Sequence, residues 1–422
     1  MRFTSRRLRR DTEWLGQCSL IVAGAFALTL GSMVAANAAT EVRVVLPFYS
    51  AKTGQTFEAI AKEFSQANPG IEIKIEVVTW STLFQKLTTD IAGGRPPDIS
   101  IIATRWLADF VTQGIAEPLD AYMGGPFRDA FIETFLTPSV IAGKTYGLPV
   151  AASVRALYYN KELFARAGIG EAPETWQALR TAAGKVSALG GGVYGFGLQG
   201  KESETDAYWY YALWSFGGEL VDANGSGVAS AAGIKAAKFY KRMIDDGVTQ
   251  PGVTNYSRAD LQNLFKQGRL GMVLTGPWLL GQLKREAPKL RYGVAAIPKG
   301  TRRATYGVTD SIIMFRSSKV KDAAWMFLKA AYAPKWRSTF SRSEGFLPVL
   351  KSVAVEPHFR NDEGLAAFTA MLPFAKFAPT LANWEEMADA ISRALQTVYL
   401  GAEPAEKALG RAAKRVDKLL GR

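Results

Sequence analysis

Apolar and polar positions change period several times along this chain, and each change marks an element. Residues 41–49 (EVRVVLPFY) read as a strand running into a polar turn at residues 50–54. Over residues 56–67 the apolar positions are Phe57, Ile60, Ala61 and Phe64, the spacing of an amphipathic helix, and Asn68-Pro69-Gly70 ends it. Residues 71–78 alternate as a strand, 83–91 return to helix, 98–103 form a short buried strand and 106–114 a further helix. Strand and helix alternating on short links predict an α/β fold whose largely parallel sheet is covered on both faces.

The next stretch has a different texture. A strand is expected at 153–159, a helix at 160–167 closed by Gly168, and a long helix at 173–189 with Pro at its start and Gly190 beyond its end. Residues 208–216 are dense in aromatics, and 229–246 form a long amphipathic helix. Residues 260–266 and the strand 270–274 lead to Thr275-Gly276-Pro277-Trp278. A strand at 311–315, a helix at 320–333 and a mostly helical tail over 385–420 follow.

The amino terminus changes the picture. Arg2, Arg6, Arg7, Arg9 and Arg10 form a basic head, an uncharged apolar stretch covers 14–34, and Ala36-Asn37-Ala38 has the small-x-small pattern cut by signal peptidase. Residues 1–38 are expected to be a cleaved signal peptide, leaving a mature protein outside the cytoplasmic membrane, in the periplasm. Arg9 and Asp11 spoil a twin-arginine motif, so ordinary Sec export is expected. Cys18 precedes the apolar core instead of closing it, which argues against a lipoprotein. Loss of five Arg and two acids leaves 51 − 5 = 46 basic and 38 − 2 = 36 acidic groups, a net +10. These charges are mixed along helical patterns, so they read as solvated surface and not as a nucleic-acid interface.

Activated chemistry is scarce. His358 is the single histidine, and the single cysteine leaves with the signal. No metal site, no cofactor and no catalytic nucleophile are therefore expected. Gly190, Gly192 and Gly195 satisfy G-x-G-x-x-G, but a helix precedes them and a strand follows, the reverse of the dinucleotide arrangement. Aromatics are plentiful instead. Trp80, Trp106, Trp209, Trp214, Trp278, Phe346 and Trp384 fall near predicted element ends, where flat rings suit the C–H face of a sugar.

Several segments in order resemble the extracellular solute-binding proteins of ABC importers, the group that includes maltose-binding and glycerol-3-phosphate-binding proteins. They are residues 87–98 (LTTDIAGGRPPD), 114–120 (GIAEPLD), Tyr146-Gly147-Leu148-Pro149 with 156–161 (ALYYNK), Pro173-Glu174-Thr175-Trp176, Gly276-Pro277-Trp278, Gly345-Phe346-Leu347-Pro348 and Asn383-Trp384. The resemblance implies the type II periplasmic binding fold, two α/β lobes joined by crossings near 150–153, 308–311 and 346–349. Lobe one would be 39–151 plus 309–347, and lobe two 152–308 plus 348–422. It also implies a monomeric receptor that hands a carbohydrate, polyol or glycosyl-glycerol to a membrane permease, with no nucleic acid as partner.

Carried over by position, the ligand-binding residues would be Tyr49, Ser50, Arg105, Ser153, Asp206, Trp209, Trp278, Thr309, Asp310, Gly345, Phe346 and Trp384, with Trp278 as the stacking platform. Relatives often carry two glycines where Thr309-Asp310 stands, so a side chain is expected to contact ligand there. Arg105, Arg155 or Arg342 in the cleft would instead suit an anionic ligand such as glycerol phosphate or a sulfonated sugar. A secreted glycosidase would need a carboxylate pair, for which Asp206 and Asp310 are the candidates.

Overall fold

A computed structural model describes residues 39–201 and 204–422. The expected signal peptide, with Cys18, lies outside the described residues. Strand β1 (Thr40–Pro47), helix α1 (Ala51–Ala67) and strand β2 (Ile71–Val78) open a strand–helix repeat continued by α2 (Trp80–Ala92) and β3 (Ile99–Ala103). β1 pairs in parallel with both β2 and β3. Helix α1 buries Phe57, Ile60, Ala61 and Phe64, the stripe its spacing predicts. Each large side chain on that stripe contributes roughly 1.5–3 kcal/mol on burial.

α1 starts earlier than the apolar period suggests. The polar residues 50–54 are its first turn and cap: Ser50 Oγ accepts from the Lys52 amide at 3.0 Å, and Thr53 Oγ1 accepts from the Ser50 amide at 3.2 Å. Reciprocal capping of this kind makes a polar stretch helical.

The expected strand at 153–159 is two strands in two different sheets. β4 (Leu148–Ser153) belongs to the first sheet, and β5 (Ala156–Asn160) follows after only Val154 and Arg155 in the second. Next come α3 (Trp176–Ser187), β6 (Tyr194–Gly197), α4 (Thr205–Ser215), α5 (Ala231–Asp245), α6 (Arg258–Lys266), β7 (Leu270–Thr275), α7 (Trp278–Glu286) and β8 (Tyr292–Ala295). The chain returns to the first sheet with β9 (Val308–Met314). Strand order is β2-β1-β3-β9-β4 in one sheet and β8-β5-β7-β6 in the other.

Each sheet holds one reversed strand. β9 is antiparallel to β3 and β4, and β5 is antiparallel to β7 and β8, while β6 and β7 are parallel. The reversed strands are the two that arrive from the other sheet. They enter at the end where the parallel strands finish, so they must run the opposite way.

Beyond β9 come α8 (Lys321–Ala331) and α9 (Pro334–Glu344), both packed on α1. The chain does not leave this side at 346–349 as expected. Leu347 bridges Ala152, Leu350 bridges Phe131, and the Val349 carbonyl accepts from the Ile132 amide at 2.9 Å. The apolar run at 347–350 is buried there, which favours keeping it against β4. α10 (Glu363–Met371) then packs on β5 and β8 of the second sheet.

The tail is two helices, α11 (Trp384–Tyr399) and α12 (Ala405–Leu419), separated around Gly401, whose φ is 73°. α11 packs on α4 and α5. All of α4 is buried, so it has no polar face and shows no amphipathic period in the sequence. The glycines of the G-x-G-x-x-G pattern form a turn and a strand: a Cβ on Gly195 would fall 2.0 Å from the Ala183 carbonyl oxygen of α3, so Gly is needed for close packing.

Candidate functional site

Tyr49 follows the end of β1, and its hydroxyl donates to Asp310 Oδ2 at 2.6 Å. Asp310 stands on β9 beside a bulge, where pairing with β4 jumps from Ala151 to Pro149 and skips Val150. Such irregularities re-aim side chains near sites. Rings surround the phenol edge-on: Trp80 at 5.6 Å, Phe340 at 5.9 Å and Phe346 at 5.0 Å between centroids. Phe346 in turn meets Trp278, the first residue of α7, at 6.2 Å. Because Phe346 adjoins Leu347, which bridges Ala152 of β4, and Trp278 follows β7, this contact joins the two sheets.

Two glycines permit it. Gly345 closes α9 with φ 77°, and a Cβ there would lie 2.9 Å from Trp278 Cα. A Cβ on Gly276 would lie 2.2 Å from the indole, which folds back over its own turn.

Charge converges on the same indole. Arg155 lies over the Trp278 ring at 4.8 Å and Arg258 at 5.0 Å, both within cation–π range. Arg155 sits in the two-residue link between β4 and β5 and is 4% exposed. Its amide donates to Thr305 Oγ1 at 3.1 Å, and that hydroxyl donates to the Arg155 carbonyl at 2.8 Å. Its Nη1 donates to Ser153 Oγ at 2.8 Å. Arg258 Nη1 grips Glu204 just before α4, at 2.7 Å from Oε1. Burial opposes ionisation of Glu204, but Arg258, Arg155 and Arg105 together hold its carboxyl below the usual range.

A second group of charges ties β3 to α11. Arg105 forms a fork on Glu385, with Nε 2.6 Å from Oε1 and Nη2 3.0 Å from Oε2, while Trp106 Nε1 donates to Oε1 at 3.0 Å. Burial disfavours the Arg105 charge, yet Glu385, Tyr306, Asp206 and Glu204 more than offset it, so the guanidinium stays firmly cationic. The Asn383 amide donates to Asp109 Oδ1 at 2.9 Å, with Asn383 in the left-handed region at φ 60°.

Two carboxyls are pushed far up. Burial raises Asp310 to about 7, against the pull of the Tyr49 bond, Arg155 and Arg105. Burial likewise raises Asp206 to about 7, against Arg105 and the hydrogen bond from Tyr210 at 2.6 Å. Asp206 Oδ1 and Trp384 Nε1 are buried without a partner among the described residues. Both residues adjoin Tyr210, whose ring centroid is 6.5 Å from that of Trp384.

The structure thus brings Tyr49, Trp278, Asp310, Gly345 and Phe346 together, with Ser153 touching them through Arg155. Arg105, Asp206 and Trp384 form the adjoining group around Glu385 and Tyr210. The remaining expected residues are elsewhere. Ser50 caps α1 through its own hydroxyl. Thr309 faces away from Asp310, as alternation along a strand requires, and donates to Thr104 at 3.0 Å in a buried hydroxyl chain with Ser311 and Ser139. Trp209 is a core residue: it is fully buried, and its indole N–H donates to the Gly233 carbonyl of α5 at 2.9 Å. Arg342 is exposed on the last turn of α9.

Glu204, Arg258, Glu385 and Tyr306 were not expected. Glu204, Arg258 and Glu385 precede or open helices in polar stretches that resemble ordinary caps, and Tyr306 lies on a two-residue strand with no period to mark it, so the sequence offered no signal for them. Arg155 did leave one, as the single charge in the apolar run 148–159. A surface groove of about 310 Å³ between α1 and β2 is lined by Glu58, Lys62, Ser65, Glu72 and their neighbours, and includes none of these aromatics.

Over residues 49–338 the sequence matches the bacterial extracellular solute-binding protein family. The chain belongs to that family. A binding protein of Brucella abortus (strain 2308) is 55% identical over 403 residues, 95% of this chain and 97% of its own length. The maltotriose-binding protein of Pyrococcus abyssi (strain GE5 / Orsay) is 27% identical over 335 residues, 77% of this chain and 70% of that one. Among solved structures, an ABC transporter solute-binding protein from Thermotoga lettingae bound with α-D-tagatose superposes with a TM-score of 0.82 at 24% identity, covering 91% of this chain and 100% of that one. The fold is that of the type II periplasmic sugar-binding proteins. No helix among the described residues is long and apolar enough to cross a membrane.

Proposed function

We propose that this solute-binding protein captures a carbohydrate-like solute in the periplasm and delivers it, unaltered, to an ABC permease. The observation that carries the reading is the meeting of Tyr49, Phe346 and Trp278 with buried Arg155 and Asp310 at the junction of two sheets. Flat rings suit a sugar's C–H face, and buried charged groups suit its hydroxyls. Asp206 Oδ1 and Trp384 Nε1 add two polar atoms that ligand hydroxyls would satisfy. A buried polar group left unmatched costs roughly 1–3 kcal/mol, so a hydroxyl that matches it gains correspondingly. The relative named for maltotriose supports the sugar class.

On this reading the two sheets are the cores of two lobes that close by hinge motion at element ends. Lobe one is 39–153 with 308–356, and lobe two is 156–307 with 362–422. The third crossing is taken at 356–362 and not at 346–349, a reading supported by the bonds that 347–351 make beside β4. The signal peptide is cleaved after Ala38, and the mature protein acts as a monomer. Thermal shift and tryptophan fluorescence of purified 39–422 against a panel of sugars test the function. A ligand at a hundred times its Kd adds about 2.7 kcal/mol of stability, and a panel that leaves both signals unmoved would count against the receptor.

A further inference from the structure

We infer that Arg155 anchors a tetrahedral oxyanion on the ligand, so that the solute is a phosphate- or sulfonate-bearing carbohydrate; this rests on the receptor reading and narrows it.

The charges of the site are mostly matched. Arg105 is taken by Glu385, and Arg258 by Glu204. Arg155 is not. Among the described residues its side chain makes one hydrogen bond, to Ser153, and no ion pair. A guanidinium carries five N–H donors in a planar fork, so most of its donor capacity is uncommitted. Burying such a cation without a partner is unfavourable, and a fold keeps one where a counter-charge arrives from outside. Arg337 is bonded much as Arg155 is, with one side-chain hydrogen bond, to the Val150 carbonyl at 3.0 Å, and two rings beneath it, Tyr332 and Phe340, where Arg155 has Trp278 and Tyr306. The two differ in place: Arg337 lies within the packing beside β4, whereas Arg155 lies over Trp278 and faces Asp310 and Glu204.

The two remaining carboxyls do not supply the missing charge. Asp310 takes the Tyr49 hydroxyl and Asp206 the Tyr210 hydroxyl, and neither forms an ion pair with Arg155. Burial raises both to about 7, so near neutrality and below the cluster has surplus positive charge. A phosphate or sulfonate would pair with the free edge of the fork. The backbone of Arg155, clasped on both sides by Thr305, holds that edge in place.

Proton linkage follows. The groups facing Asp310 are Tyr49, Arg155, Arg105 and Glu204; those facing Asp206 are Arg105, Tyr210, Glu385 and Glu204. An added anion favours the protonated form of both aspartates. Binding therefore takes up protons and tightens as pH falls from 8 to 6.

The test uses the mature chain in thermal shift and calorimetry at pH 6 and pH 8. Probes are glucose, maltose and glycerol, then glucose 6-phosphate, glycerol 3-phosphate and 6-deoxy-6-sulfoglucose. At least one oxyanion-bearing probe should bind ten-fold or more tightly than its neutral parent, and more tightly at pH 6. The phosphate and sulfonate arms separate the two oxyanions. Arg155→Met should erase that margin. Arg155→Lys, which keeps charge without the fork, should restore part of it and covers the case of a Met variant that does not fold. A neutral parent that binds as tightly as its derivative, or a margin that survives Arg155→Met, overturns the anchor and leaves the sugar receptor standing. No shift with any probe would count against both.

Discussion

Asp310→Asn isolates the electrostatics of the site, because Asn keeps the shape of the side chain and an oxygen for the Tyr49 hydroxyl to bond. The Asp310 carboxyl rises from 3.8 to about 7 on folding, first through burial. The folded protein therefore holds a proton that the unfolded chain releases between pH 4 and 7. Stability from this group is fully present below about pH 4 and falls as pH rises through 7. At about 1.36 kcal/mol for each pH unit between those two values, the loss between pH 4 and pH 8 is about 4 kcal/mol. The Asn variant has no proton to lose at this position. Urea unfolding of the mature chain at pH 4.5, 6 and 8 should show the variant matching wild type at the lowest pH and exceeding it at pH 8. Asp206 retains its own slope in both proteins, so the difference between them is the readout. A variant that tracks wild type at every pH, or is weaker at pH 8, would refute the claim that burial dominates at Asp310.

Other substitutions separate binding from folding. Trp278→Ala removes the ring that Phe346, Arg155 and Arg258 contact, and should weaken sugar or sugar-phosphate binding at least ten-fold in fluorescence titration. Glu385→Gln weakens the fork from Arg105 while keeping an acceptor for Trp106. It should cost about 2 kcal/mol in denaturant unfolding and speed ligand release in stopped-flow, since a part-buried charge loses its partner. Trp209→Phe deletes the bond to Gly233 and should lower stability by about 1–2 kcal/mol while leaving Kd unchanged in calorimetry.

Much of the architecture was legible because amphipathic periods survive wherever an element has one wet face. α1 and α5 bury the stripes their spacing marks. Legibility failed where that contrast vanishes. In α4 every residue is buried, so Trp209 could not be told from an aromatic that meets ligand. The strand expected at 153–159 starts at Ser153, the last residue of β4, and runs through the two-residue link into β5, because the apolar run shows no break where the chain changes sheets. Long-range charge pairs were beyond reach for a different reason. Arg105 and Glu385 are separated by 280 positions, and only the docking of α11 brings them together. Nearby Asp109 is instead engaged by the Asn383 amide.

The crossings explain why the chemistry gathers where it does. Val308 pairs with Ser153, Thr309 with Ala152 and Asp310 with Ala151, so the outgoing and returning segments are hydrogen-bonded to each other. Arg155 comes two residues after the outgoing strand's Ser153, and Asp310 two residues into the returning one. One crossing therefore supplies Arg155, a cation with no ion pair among the described residues, and the other the titrating carboxyl. Thr305, just ahead of the returning strand, clasps the backbone of Arg155 from both sides. Hinge residues must absorb changes in φ and ψ when lobes move. Here the residues that would turn also carry the groups that would hold a ligand. A solute bound to Arg155 would bear on the crossing itself, so occupancy and closure need no relay between distant parts of the fold.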